Sequence, residues 1–312
     1  MNPDWELPFP PVGPSGLPIF RQDHAQYSIF YAPGYLGVVA KEQSGEFENQ
    51  LCGASPPSNP EVGNLKNYAV EALQTWQALY SRPFTPLCLT LYLNNRCNLA
   101  CSYCFSSAAA AAAAGETLGL DSIRSAAEIV LANCQARSQP FTVVFHGGGE
   151  PSLEQPLADA ALSMLAQMGK ARGVPLFRYI ATNGVMSAQR ARWLAENFDL
   201  IGLSCDGPED IQASQRPLFS LLANGKNSTA MVEETARIVR EAGKPLNVRV
   251  TLTAATLARQ PEIAEYICQK LRPREIHVEV VYQGGRMLDS IAPDQVEKFI
   301  MPFLEARETA RR

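Results

Sequence analysis

From residue 83 onward, short apolar runs alternate with amphipathic stretches along the chain. The apolar runs near 88–94, 141–145, 177–182, 199–205, 246–252 and 275–281 read as strands. Between them, 121–136, 156–170, 187–197, 229–242 and 260–271 read as helices, with a last one near 294–308. In the first of these helices Ile123, Ala126, Ala127, Val130, Leu131 and Cys134 recur at i, i+3, i+4, i+7, i+8 and i+11, the stripe of a single buried face. Cys134 is therefore expected to be a core thiol. Six successive strand–helix units predict a parallel sheet with right-handed crossovers that curls toward a barrel. Eight units close a TIM barrel, so six predict an α/β fold of the partial (β/α)6 TIM-like kind, open on one side, over residues 83–312.

Residues 1–82 follow a different pattern. Prolines at 3, 8, 10, 11, 14, 18 and 33 forbid long regular elements, since each fixes its backbone angle and removes a donor. The alternation in Tyr27–Tyr31 and Tyr35–Val39 across an Ala-Pro-Gly turn predicts a short hairpin. A polar loop is expected to about Pro60, then a helix over 64–80 with Leu65, Ala69, Ala72, Leu73 and Trp76 on one stripe. This small N-terminal hairpin-plus-helix extension reads as a packing appendage, with a peptide-recognition role as the sharper alternative.

Composition narrows the classes. With 46% hydrophobic residues among 312, the chain can bury a full core. Its 27 basic and 31 acidic residues give a net charge of -4, which does not suggest broad nucleic-acid binding and leaves local basic patches undecided. The N-terminus lacks an export signal, and no apolar stretch reaches the ~20 residues of a membrane span. A cytoplasmic protein without a nucleic-acid or membrane partner is expected. Of the eight Cys, three crowd together, whereas Cys52, Cys88, Cys134, Cys205 and Cys268 are scattered, which fits reduced thiols rather than a disulfide framework.

The crowded three, Cys97, Cys101 and Cys104, form C-x-x-x-C-x-x-C with Tyr103 before the last. Soft thiolates suit iron–sulfur clusters, zinc or copper(I). A closed zinc site takes four protein ligands, whereas a cubane held by three Cys leaves one iron free for another ligand. In TIM-like barrels chemistry sits at the C-terminal strand ends, and here each such end carries a polar or glycine cluster. Strand two ends in His146-Gly147-Gly148-Gly149-Glu150-Pro151, where three glycines allow close backbone approach beside a fixed negative charge. His146 is expected to prop that loop. Strand three ends in Ala181-Thr182-Asn183-Gly184 and strand four in Ser204-Cys205-Asp206-Gly207-Pro208. Alternation puts Ser204 and Asp206 on the cavity face with Gly202, and Ile201, Leu203 and Cys205 on the face packed outward, Cys205 as a small buried hydrophobe. On strands five and six the polar faces carry Arg249 and Thr251, then His277 and Glu279, with Gly284, Gly285 and Arg286 just beyond. A helix-covered parallel strand keeps a polar face only by lining a cavity, so these are pocket candidates. The competing reading is a buried ion pair or a solvent-contact rim.

Together, the Cys triplet with its aromatic, the Gly-Gly-Gly-Glu loop, the Thr-Asn-Gly turn and the Ser-x-Asp-Gly-Pro run resemble the radical S-adenosylmethionine (radical SAM) enzymes over about residues 84–290. The combination is most like the subgroup of peptide- and protein-modifying maturases. The resemblance implies the same (β/α)6 fold. It also implies a [4Fe-4S] cluster on Cys97, Cys101 and Cys104, whose free iron chelates the amino and carboxylate groups of S-adenosylmethionine. Reductive cleavage would then give a 5′-deoxyadenosyl radical that abstracts hydrogen from a peptide or protein side chain, and a flavodoxin- or ferredoxin-type electron donor is implied as partner. By the same resemblance Tyr103 packs near the adenine and Gly147, Gly148, Gly149 and Glu150 bind the amino group. Asn183 belongs to the cofactor-binding set. Ser204 and Asp206 face the ribose and carboxylate, and Arg216 lies near the carboxylate, where a guanidinium is a bidentate partner. Of the pocket candidates, Arg249 is assigned to the cofactor and His277 and Glu279 to catalysis. Related enzymes often carry a His-Asp pair shortly before that Arg, and this sequence has Ala213-Ser214. Nor does a Cys-rich SPASM or twitch extension follow, so the expectation is a single-cluster enzyme or an incomplete chain. The Ala run 108–114 suggests no function. Two alternatives stay open: a sulfatase-maturase-like enzyme, and a non-catalytic metal-binding barrel that binds a peptide.

Overall fold

The computed structural model describes residues 11–14, 16–104, 106, 117–219, 228–281 and 296–311, so the Ala run and Gly284, Gly285 and Arg286 lie outside the described residues. The chain divides into two units between Phe84 and Thr85.

In the N-terminal unit, β1 (Phe20–Asp23), β2 (Tyr27–Ala32) and β3 (Tyr35–Ala40) form an antiparallel sheet in that order. The predicted hairpin is β2–β3, with Ala32 opposite Tyr35 at the turn. The stretch expected to be a polar loop holds α1 (Ser44–Cys52). Its Phe47 and Leu51 sit one turn apart and are both buried; two apolar residues among polar ones are too sparse a stripe for periodicity alone to reveal. Helix α2 (Pro60–Tyr80) starts four residues before the predicted boundary, because the Asn59 side chain caps it by accepting from the Glu61 amide at 3.0 Å and Pro60 suits a first helical turn. Ile19, Phe30, Leu51, Val62, Leu65 and Ala69 make the core of this unit. Trp76, expected on the buried stripe, is 61% exposed and stacks on Tyr80 instead. The 21-residue helix spans about 30 Å, and its last turns outrun the six-residue strands it packs on.

The second unit is built on six parallel strands, β4 (Cys88–Tyr92), β5 (Phe141–His146), β6 (Leu176–Thr182), β7 (Leu200–Ser204), β8 (Leu246–Leu252) and β9 (Glu275–Val280), paired in chain order. Helices α3 (Leu120–Ala136), α4 (Gln155–Arg172), α5 (Ala188–Asn197), α6 (Glu209–Gln215), α7 (Ser228–Glu241), α8 (Gln260–Tyr266, continuing as a π turn through Leu271) and α9 (Val296–Arg311) complete it. The short α6 was not foreseen. With seven residues it is below the length at which a helical period can be read from sequence.

Strand register sorts side chains into two layers. Phe145, Ile180, Leu203 and Val250 are at most 1% exposed and belong to one continuous apolar core with Ile123, Leu131 and Leu165 of the helices. Cys134 and Cys205 are likewise fully buried, as their positions on apolar faces require. The alternate residues share the opposite face, and at its C-terminal end these are Tyr92, His146, Ala181, Ser204, Thr251 and Glu279. In the sheet β4 and β9 each have one strand partner, so the (β/α)6 progression is an open one.

Candidate active site

Two loops at the C-terminal strand ends are stitched together by their backbones. The Gly149 amide donates to the Asn94 carbonyl at 2.8 Å and the Glu150 amide to the Arg96 carbonyl at 2.7 Å. The Asn94 side chain returns a bond from Nδ2 to the Glu150 carbonyl at 3.0 Å. This contact explains the glycine run: Gly148 has φ of 88°, and a side chain at Gly149 would overlap the Arg96 backbone. The loop after β5 thus fixes the start of the cysteine loop.

The far side of the cysteine loop is held as tightly. The Ala100 amide donates to the Pro217 carbonyl at 2.8 Å and the Ser102 amide to the Gln215 carbonyl at 2.9 Å. From the turn after β6, Asn183 donates from Nδ2 to Asn98 Oδ1 at 2.7 Å and approaches Cys97 Sγ at 3.7 Å. Asn98 in turn donates to the Val185 carbonyl at 2.6 Å. Cys97, Cys101 and Cys104, all free, line one cavity of about 440 Å³ together with Gly147, Gly148, Gly149, Glu150, Asn183 and Ser204. Burial pushes the Cys97 thiol up to about 11 and raises that of Cys101 as well. Among the described residues no group of three or more His, Cys, Asp or Glu side chains is placed to hold a single metal ion. Three free thiols on one cavity wall are one protein ligand short of a closed structural zinc site and are the soft donor set that an iron–sulfur cluster takes.

Glu150 is 2% exposed, and three donors fix its carboxylate: the Ser152 amide at 3.0 Å, the Thr182 hydroxyl at 2.7 Å and the Asn183 amide at 2.7 Å. It remains on the cavity wall with lone pairs to spare, since a carboxylate can accept about four hydrogen bonds. Asp206, expected to face the cavity, is fully buried and does not line it. Its carboxylate accepts from the Thr251 amide at 3.0 Å, from Gln215 Nε2 at 2.9 Å and from the Tyr103 hydroxyl at 2.7 Å. Alternation does not carry to Asp206, because the strand ends at Ser204 and the chain turns there toward α6. Tyr103 also accepts from Arg216 Nη1 at 2.6 Å. Arg216 lines the cavity from a position only 7% exposed, and its Nε has no partner among the described residues.

On another part of the wall, Arg249 reaches from β8 to His146 on β5 and to Glu279 on β9. Its Nη1 lies 2.8 Å from His146 Nε2, and its Nη2 donates to both Glu279 oxygens at 2.7 and 2.9 Å. All three residues line the cavity. The position of His277 differs from the expected one. It shares a face with Glu279 but sits two residues earlier, is about half exposed and lies 3.3 Å from Glu275. The rule that a parallel strand hides its polar face fails here because β9 ends the sheet, with β8 as its partner there. Gln215 and Asn98 were not singled out from the sequence, and Thr182 entered only as part of the Thr-Asn-Gly turn. Each acts by holding another residue of the site, and a lone amide or hydroxyl gives no spacing signal.

Comparison with known proteins agrees with this geometry. The family model for the radical SAM superfamily matches residues 91–267, more than half of the chain. Over 231 residues the chain is 26% identical to the PqqA peptide cyclase of Xanthomonas euvesicatoria pv. vesicatoria, a match that covers 73% of this chain and 56% of that protein. Over 175 residues it is 25% identical to the cysteine-type anaerobic sulfatase-maturating enzyme of Clostridium perfringens, covering 56% of this chain and 46% of the relative. The chain thus spans about half the length of the curated relatives it matches. Among solved structures, anSMEcpe with bound AdoMet superimposes with a TM-score of 0.56 at 23% identity, over 68% of this chain and 57% of that one, a likeness of fold. A cavity lined by three thiols at the C-terminal ends of six parallel strands, with a family match spanning those strands from β4 to β8, shows that this chain belongs to the radical SAM superfamily.

Proposed function

We propose that this chain forms the catalytic core of a radical SAM enzyme that modifies a side chain of a peptide or protein. The observation that carries the reading is the convergence on one cavity of three free thiols, a glycine loop and a buried arginine whose Nε has no partner among the described residues. An iron–sulfur cluster accounts for the thiols, and a zwitterionic ligand accounts for an anion and a cation held on the same wall. When bound, a [4Fe-4S] cluster and S-adenosylmethionine supply a 5′-deoxyadenosyl radical able to take a hydrogen atom from carbon.

The chain's own residues orient that chemistry and exclude water from it. Cys97, Cys101 and Cys104 would hold the cluster. Glu150, with the amides of Gly147, Gly148 and Gly149, would take the ligand's amino group, and Arg216 its carboxylate. The Tyr103 ring, Asn183 and Ser204 line the same space for the nucleoside. Asp206 acts from beneath, through Tyr103, Gln215 and Thr251. Arg249 extends the cofactor wall toward Glu279, which we assign to the substrate side; His277, outside the cavity, has no place in the proposal. A peptide substrate is favoured because both curated relatives named above modify peptides or proteins by name. The N-terminal unit, whose β3 has only β2 as a strand partner among the described residues, is the part of the chain suited to hold such a peptide. Eight free cysteines suit the reducing cytoplasm, where a flavodoxin- or ferredoxin-type donor would deliver the electron.

Anaerobic reconstitution with iron and sulfide, followed by reduction in the presence of S-adenosylmethionine, should yield 5′-deoxyadenosine. Replacing Cys97, Cys101 and Cys104 with Ala should abolish it. Material that carries zinc and yields none would favour the non-catalytic peptide-binding alternative, and a product that survives the triple replacement would overturn the site.

A further inference from the structure

Asp206 and Arg216 are both buried, yet the nearest approach of their charged groups is 4.0 Å. Opposite charges shielded from water attract strongly, so a gap of this size needs a cause. The Tyr103 hydroxyl fills it, accepting from Arg216 Nη1 at 2.6 Å and donating to Asp206 Oδ2 at 2.7 Å. The two ends of this chain are in opposite states. Asp206 is well supplied, since the Thr251 amide and Gln215 Nε2 add to the Tyr103 hydroxyl for three donors in all. Arg216 is not: among the described residues its Nε is buried without a partner, while the residue lines the cavity. A buried guanidinium left short of partners is costly unless a ligand completes it.

We propose that the Tyr103 hydroxyl is a spacer that prevents Arg216 from closing on Asp206, so that the guanidinium stays open to a carboxylate of the cavity ligand. Tyr103 is then a positioning residue that acts through Arg216, in addition to any packing of its ring. The identity of the carboxylate, that of S-adenosylmethionine, rests on the function proposed above; the spacer geometry does not. Removing the hydroxyl while keeping the ring should let Arg216 move onto Asp206 and withdraw from the ligand. Removing the charge of Asp206 as well should take away the reason to move.

The test uses the reconstituted full chain and equilibrium binding of two probes, S-adenosylmethionine and methylthioadenosine, which keeps the nucleoside but has no carboxylate. Tyr103→Phe should weaken S-adenosylmethionine about tenfold, the loss of one charge-assisted hydrogen bond, and leave methylthioadenosine within about twofold. Tyr103→Phe combined with Asp206→Asn should recover most of the S-adenosylmethionine affinity. Equal losses for both probes, or no loss for either, would overturn the spacer. A wild-type protein that binds neither probe would instead refute the cofactor reading. In that case the spacer is judged on a crystal structure of the cluster-free Tyr103→Phe protein: direct Arg216–Asp206 contact supports it, and an unchanged 4.0 Å separation overturns it.

Discussion

Gly149 lies against the backbone of Arg96 with no room for a Cβ, and the hydrogen bonds on either side of this contact join the glycine loop to the cysteine loop. Backbone cannot yield as the end of a flexible side chain can. Gly149→Ala should therefore separate the two loops and cost at least about 3 kcal/mol, whereas Gly147→Ala, whose Cβ meets nothing within 4 Å, should leave stability within about 0.5 kcal/mol. Urea denaturation of the two variants checks this. Equal midpoints would show that the loops are not locked in this way.

The contact between His146 and Arg249 dictates a protonation state. A guanidinium only donates, so His146 Nε2 must accept, and the ring is neutral with its proton on Nδ1. Burial, with the Arg249 charge second, lowers its pKa below the ordinary histidine value. The unfolded chain gains a proton near pH 6.5 and the folded one does so only at lower pH. This stabilisation is therefore present above about pH 6.5 and is lost as pH falls through the folded pKa. Ring-nitrogen NMR of the protein at about pH 6.5, where an ordinary histidine is half protonated, should show His146 mostly neutral; a predominant imidazolium signal at that pH would contradict the assigned contact.

Arg249 and Glu279 form an ion pair whose side chains are 32% and 54% exposed. Water screens such a pair, so Glu279→Gln should change stability by less than about 1 kcal/mol. Its effect should fall on turnover. We expect 5′-deoxyadenosine to form still, while modified peptide falls about a hundredfold, the scale of a lost proton-transfer group. Measuring both products in one reaction separates a substrate-side role from a cofactor-side one.

Two tryptophans contrast sharply in environment. Trp193 is 8% exposed, donates from its indole to Asp159 at 2.7 Å and meets Phe198 edge-on. Trp76 is 61% exposed. Trp193→Ala should cost about 3–5 kcal/mol and Trp76→Ser within about 0.5 kcal/mol. Chemical denaturation distinguishes them, and a large loss at Trp76 would mean that its indole is covered in solution.

The sequence alone determined the strand–helix alternation, the six parallel strands and the residues that gather at their C-terminal ends. These are consequences of local periodicity and of the rule that strand alternation divides a core face from a cavity face. It also located the cysteine and glycine loops, because chemistry that needs three soft ligands or close backbone approach leaves few residue types that serve. Tertiary structure alone decided how those residues are partnered. Periodicity placed Asp206 and Ser204 on one face, but the turn after β7 buried Asp206 beneath Tyr103. The same alternation grouped His277 with Glu279, yet on a strand at the end of the sheet one is at the surface and the other in the cavity. The links from His146 to Arg249 and from Tyr103 to Arg216 each join residues more than 100 positions apart. No pattern along a chain encodes such distances, because they are set by how strands close on one another and by which buried charge is left without a partner.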